Sequence, residues 1–235
     1  MGRTGRFRSL LVLAAGAALV ATAAACTPPK QPPPDPCAGS TVVINQTPQQ
    51  CTWQFQRDPD NATAGGFTDE AASIGSGSLK AGPIGTNPAE KYIAENFIAT
   101  PVADLTSIGY DFKIGDSVGP TDYKHFYLNV YANIDDTDNF YDCKFDYVPG
   151  TGSTTDFTTV TFAATDTPVS VTRRGTRIEA CPATLAGMPA GSYVRAFALN
   201  VGDTSASDVG LSGYLDNVEV TTTAGTKTFD FEPAP

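Results

Sequence analysis

Apolar and polar residues alternate along most of the chain, and Gly, Asp, Asn and Pro break the alternation into short runs. A period of two puts successive side chains on opposite faces of a strand, so each run predicts a strand buried on one side. In residues 106–114, Ile108, Tyr110, Phe112 and Ile114 share one face, while Ser107, Gly109, Asp111 and Lys113 share the other. In residues 126–132 the apolar face is Phe126, Leu128, Val130 and Ala132, and Tyr127, Asn129, Tyr131 and Asn133 lie opposite. Tyr141, Cys143, Phe145 and Tyr147 form one face of the next strand. Further strands are expected over 157–162, 168–172, 192–201 and 214–222, with short helical pieces only at 88–96 and near 182–186.

Eight or more short strands separated by turn residues argue for an all-β domain, a single jelly-roll-like β-sandwich. Its two ends look alike. Residues 52–56 carry Trp53 and Phe55, and residues 227–232 carry Phe229 and Phe231, each pair spaced by two. These segments are expected to pair or lie close and so close the sandwich. Trp53, the only Trp, is expected in the core, where large aromatics concentrate.

The N-terminus departs from this pattern. Arg3, Arg6 and Arg8 precede an apolar stretch over 10–20, then Ala21 to Ala25, then Cys26. A basic region, a short apolar region and small residues make a secretory signal over 1–25. The stretch is shorter than the roughly 20 apolar residues that span a bilayer. Two outcomes stay open. The segment before Cys26 resembles the lipobox of bacterial lipoproteins, which implies lipid on Cys26 and membrane anchoring, although Ala23 stands where a large aliphatic residue is usual. Alternatively, Ala23 and Ala25 support plain cleavage after Ala25. Either way the protein is exported, as a cell-surface lipoprotein or a secreted protein. Proline density after Cys26 predicts an extended polyproline tether, drawn over 26–50, with the sandwich domain over 51–235.

Setting Cys26 aside leaves Cys37, Cys51, Cys143 and Cys181, an even number suited to an oxidising compartment. Of the three pairings, the local one, Cys37–Cys51 and Cys143–Cys181, is expected. No Cys-x-x-Cys and no Cys/His cluster exists, which argues against zinc. The whole chain has 15 Lys+Arg against 25 Asp+Glu, a net charge of −10. Without the three signal arginines, 12 basic groups face the same 25 acidic ones, a net charge of −13. Such a surface repels nucleic acid, so no nucleic-acid partner is expected.

Two segments carry a family resemblance. Residues 213–220, Gly-Tyr-Leu-Asp-Asn-Val-Glu-Val, resemble the closing strand of galactose-binding-like and other carbohydrate-binding jelly rolls. Residues 75–80, Gly-Ser-Gly-Ser-Leu-Lys, followed by Gly82-Pro83, are similar to a strand such domains place early. The same signals occur in secreted bacterial proteins. The resemblance implies a sandwich and a carbohydrate or matrix ligand. It carries no catalytic residue.

Candidate chemistry is sparse. His125 is the only histidine, at a strand start, and no G-x-S-x-G elbow accompanies it. Glycosidases need two carboxylates about 5–9.5 Å apart. Asp142 with Asp146, and Asp230 with Glu232, offer strand-face pairs of a kind any polar face supplies. Acidic turns at 135–139 and 58–61 suggest a structural Ca2+, with Asp58 and Asp60 bridging to Asp216 or Asp230. The cluster of Arg173, Arg174 and Arg177 around Gly175 reads as a solvated hairpin tip. Tyr127, Asn129 and Tyr131 form a candidate ligand platform, with Tyr193 and Arg195 on a neighbouring strand, because flat rings beside amides suit sugars. The function expected is a non-enzymatic binding module for carbohydrate, with a polysaccharide or surface glycan as partner. The alternatives are a structural or adhesion-type surface protein and, third, a glycan-acting enzyme.

Overall fold

Strands dominate the residues this computed structural model describes, which are 37–60, 65–87, 90–135, 141–202 and 208–235. In chain order they begin with β1 (Thr41–Ile44), β2 (Gln49–Gln50), β3 (Trp53–Asp58), β4 (Gly66–Thr68) and β5 (Ser78–Ala81). Next come β6 (Lys91–Asn96), β7 (Thr100–Pro101), β8 (Leu105–Ile114), β9 (Phe126–Asn133) and β10 (Cys143–Tyr147). The last are β11 (Thr158–Ala163), β12 (Ser170–Arg173), β13 (Tyr193–Val201), β14 (Gly213–Thr222) and β15 (Gly225–Phe231). One sheet holds β1, β4, β5, β8, β11, β14 and β15; the other holds β2, β3, β6, β7, β9, β10, β12 and β13. The chain passes repeatedly from sheet to sheet, for example from β5 to β6, β8 to β9 and β13 to β14. This is the all-β, jelly-roll-like sandwich that the alternation predicts. The expected signal, Cys26 and residues 26–36 lie outside the described residues, as do residues 136–139 of one acidic turn and residue 61 of the other.

The core is built from the inward faces. Phe112 of β8 stacks on Phe126 of β9 at 5.0 Å, and the Tyr110 hydroxyl donates to the Phe126 carbonyl at 2.5 Å. Trp53 is fully buried. Its ring stacks on Phe55 and meets the edges of Phe197, Phe229 and Phe231 at 5.1 to 5.5 Å. The two aromatic ends therefore lie close, but across the core rather than as neighbours in a sheet. The strand hydrogen-bonded to β15 is β1, in parallel, with Thr41 opposite Thr228 and Ile44 opposite Phe231.

That pairing corrects the tether boundary at residue 50. Val42 and Ile44 are buried against the core, so the sandwich already includes 41–44. The helical expectation over 88–96 also fails where the chain is described. Lys91–Asn96 is β6, clamped between β3 and β13. The piece near 182–186 is one short 3-10 turn, Leu185–Gly187. Both expected disulfides are formed. Cys37–Cys51 ties the chain before β1 to the start of β3, and Cys143–Cys181 ties β10 to the loop after β12.

One residue ties two strands of the seven-stranded sheet to the connection between β4 and β5. Along one edge, β14 pairs with β8; along the other it serves β5 through Gly213–Leu215 and then β15 through Val218–Thr222. At the changeover the register slips, and Asn217 takes a φ of 46°, a left-handed conformation Asn tolerates. Asp216 sits there, fully buried. Its carboxylate accepts the backbone N–H groups of Ser73 (2.9 Å), Ile74 (3.1 Å), Asn217 (2.7 Å) and Phe231 (3.2 Å). Burial raises its pKa while those four bonds oppose the rise.

Candidate functional site

The outer face of the eight-stranded sheet gathers most of the platform residues. Alternation sends Phe126, Leu128, Val130 and Ala132 of β9 into the core, leaving Tyr127, Asn129 and Tyr131 on the far side. On β13, Ala196, Ala198 and Asn200 share that side, and on β6 so do Lys91, Ile93 and Glu95. The register sets one row straight across the sheet: Ser170, Asp146, Asn129, Ala198, Glu95 and Gln54.

Hydrogen bonds fix the middle of this row. The Asn129 amide donates to Asp146 Oδ1 at 2.6 Å, and Ser170 Oγ donates to Asp146 Oδ2 at 2.5 Å. Asn200 Nδ2 donates to Asn129 Oδ1 at 3.0 Å, and the Tyr131 hydroxyl reaches the same oxygen at 3.4 Å. Asn129 and Asn200 are only 2% and 1% exposed, although they lie on an outer face. Tyr127 and Tyr131 are half-buried beside them. The Tyr131 phenol lies near enough to Glu95, two strands away, for that carboxyl to help raise its pKa after burial has done most of it.

Charges on this face are matched. Lys144 Nζ is 3.1 Å from Asp146, and Lys91 Nζ is 4.0 Å from Asp58. Burial lowers the Lys91 pKa. Burial also pushes the Glu95 carboxyl up to about 7, against the pull of Lys91. Beyond Tyr131 the aromatic surface continues to Tyr141, whose ring is 5.4 Å away, and the Arg174 guanidinium lies 5.4 Å from the Tyr141 centroid.

The remaining sequence candidates fall in several places. Tyr193 pairs with Asn133 at the start of β13, and Arg195 is the extra residue of a bulge between Val194 and Ala196, outside the regular alternation. Asp142 accepts the Ile134 N–H at 3.0 Å and pairs with Arg177, so it is committed to the loop, while Asp146 is in the site. Arg173 donates to the carbonyls of Ile178 and Glu179, and Arg177 also pairs with Asp135. His125 Nδ1 is 3.4 Å from Asp208.

The four calcium candidates divide into two pairs on opposite sheets. Asp60 is held by Arg57, and Asp58 faces Lys91. Asp216 and Asp230 belong to the other sheet, beside the Ser73–Ser76 segment. Burial, then the charges of Glu232 and Asp216, push the Asp230 carboxyl up to about 6. Glu232 accepts the Ser76 N–H at 2.5 Å, so close to Gly75 that a Cβ there would meet its Oε1 at 1.7 Å. Among the described residues no group of three or more His, Cys, Asp or Glu side chains is arranged to hold a metal ion.

Sequence reasoning placed Tyr127, Asn129 and Tyr131 opposite the apolar face of their strand, which is where they lie. It did not single out their neighbours on that face, Glu95, Asn200, Lys91 and Lys144. Asn200 was readable in principle, since the alternation of β13 places it opposite Leu199. Glu95 gave no signal, because its burial comes from strands distant in sequence.

No protein-family model matches the chain, and no curated protein matches it in sequence. Solved structures superpose on much of it with few identical residues. A family 11 carbohydrate-binding module of a cellulosomal cellulase of Clostridium thermocellum aligns over 77% of this chain and 93% of its own, at 9% identity and a TM-score of 0.47. The same family's module from that organism, in complex with a β-1,3-1,4-mixed-linked tetrasaccharide, aligns over 81% and 96%, at 9% identity and a TM-score of 0.44. The enzymatically active domain of tailspike protein 4 of bacteriophage CBA120 aligns over 75% of this chain and 19% of its own, at 13% identity and a TM-score of 0.43.

Proposed function

We propose that the protein is a non-enzymatic module that binds a neutral polysaccharide on the outer face of its eight-stranded sheet. The observation that carries this reading is the half-buried pair Tyr127 and Tyr131 flanking a fixed amide network of Asn129, Asn200 and Asp146. Flat rings cover the apolar faces of sugar rings, and amides held in one orientation select hydroxyls; such a mixture is what small polar ligands require. Lysines matched to carboxylates leave the face without a strong field, although the chain as a whole is acidic. Neutral glycans suit that balance.

The test is a glycan array followed by titration of the mature chain with the best polysaccharide. Tyr131→Ala and Asn129→Ala are each expected to weaken binding roughly tenfold or more, about 1.4 kcal/mol, without loss of the folded state. No binding across the array, or binding indifferent to both changes, would favour the structural or adhesion-type surface protein instead.

The reading includes export, with Cys26 carrying lipid and the Pro-rich segment holding the sandwich off the membrane. In cells, Cys26→Ala is then expected to move the protein from the membrane fraction to the medium. Wild type found free in the medium from the start would refute the anchor and leave the glycan site untouched.

A further inference from the structure

The geometry points to Glu95 as a ligand-contacting residue of this site, one that meets a sugar hydroxyl as the uncharged carboxylic acid. This rests on the carbohydrate reading above and goes further by naming the group that sets its pH range. Glu95 is 6% exposed and lies in the row across the outer face, opposite Ala198 on one side and Gln54 on the other.

Its surroundings keep it neutral. From its own strand it faces Lys91, which also lies against Asp58. From β3 it faces Gln54, from β13 Ala198, and from β9 the Tyr131 phenol. Farther along the row, Asp146 is matched by Lys144. Among the described residues Lys91 is the cation whose charge acts on Glu95, and burial outweighs it, so the acid form prevails below about pH 7.

An orphaned acceptor lies beside it. Asn200 Oδ1 is buried on the same face with no hydrogen-bond partner. Glu95 stands opposite Ala198, two residues from Asn200. The two are diagonal cross-strand neighbours, about 7 Å apart in such a sheet. The face therefore sets a donor, the Glu95 acid proton, beside an acceptor, the Asn200 oxygen. A sugar hydroxyl both accepts and donates, and adjacent hydroxyls on one ring can engage both groups. Ionisation of Glu95 removes the donor and places an unsolvated charge under the ligand.

The experiment titrates the mature protein with a soluble neutral β-glucan, a galactan and a mannan between pH 5 and pH 8.5. For any that binds, the dissociation constant is expected to be flat up to about pH 6.5 and to rise roughly tenfold per unit once Glu95 ionises. Glu95→Gln, whose amide still donates and accepts, is expected to flatten the profile. Glu95→Ala is expected to weaken binding at every pH. Binding that is pH-independent in wild type, or a wild-type profile retained in Glu95→Gln, overturns the role given to Glu95 while leaving the glycan site standing. Absence of binding by all three polysaccharides at every pH overturns both.

Discussion

Replacing Glu95 with Gln is expected to raise the melting temperature at pH 8 and to leave it nearly unchanged at pH 5. Burial lifts the folded-state pKa from its ordinary value of 4.5 to about 7. Between those values the folded protein holds a proton that the unfolded chain has released. Stability therefore falls as pH rises through that window and stays low above it. The full shift corresponds to about 3 kcal/mol at pH 8, since each unit is worth ~1.4 kcal/mol. For a domain of this size that is roughly 5–10 °C in Tm. Gln keeps the shape and removes the charge. Asp230 titrates in an overlapping range, so wild type keeps some pH dependence from that source. The difference between wild type and variant isolates Glu95, and parallel melting profiles from pH 5 to pH 8 would sink the account of a buried acid.

The second large effect is at Trp53. Its ring touches Phe55 and Phe197 of its own sheet and Phe229 and Phe231 of the other, so it joins the two layers at one point. Trp53→Ala removes those contacts and leaves a void, a change that typically costs about 3–5 kcal/mol. Trp53→Phe is expected to cost much less than its lost volume suggests. The Trp53 indole N–H is buried without a hydrogen-bond partner, and deleting it relieves a desolvation penalty of roughly 1–3 kcal/mol. Urea unfolding of the three proteins measures both steps. Equal losses for Ala and Phe would overturn this account, since Phe keeps an aromatic ring in the cluster and sheds the unpaired N–H.

The architecture was legible wherever one face of a strand is uniformly apolar. β8 and β9 read correctly because Ile108, Tyr110, Phe112 and Ile114, and Phe126, Leu128, Val130 and Ala132, alternate without interruption. β6 did not, because its inward face ends in Asn96 and its outward face includes Ile93. Its strand state comes from β3 and β13 on either side, a tertiary effect that overrides the local pattern. β1 is four residues long, with Val43 exposed, and only its parallel partner at the far end of the chain reveals it. The site divides in the same way. Tyr127, Asn129 and Tyr131 follow from alternation, whereas Glu95 becomes distinctive only through the strands packed on either side of it.

The Asp216 junction and the β1–β15 pair together govern the order in which the protein can be completed during synthesis. Thr41–Ile44 cannot find its sheet until Thr228–Phe231 exists, and the Phe231 amide is one of the four that the Asp216 carboxylate gathers. The seven-stranded sheet therefore stays open for nearly the whole of translation, and a contact of such long range closes late and slowly.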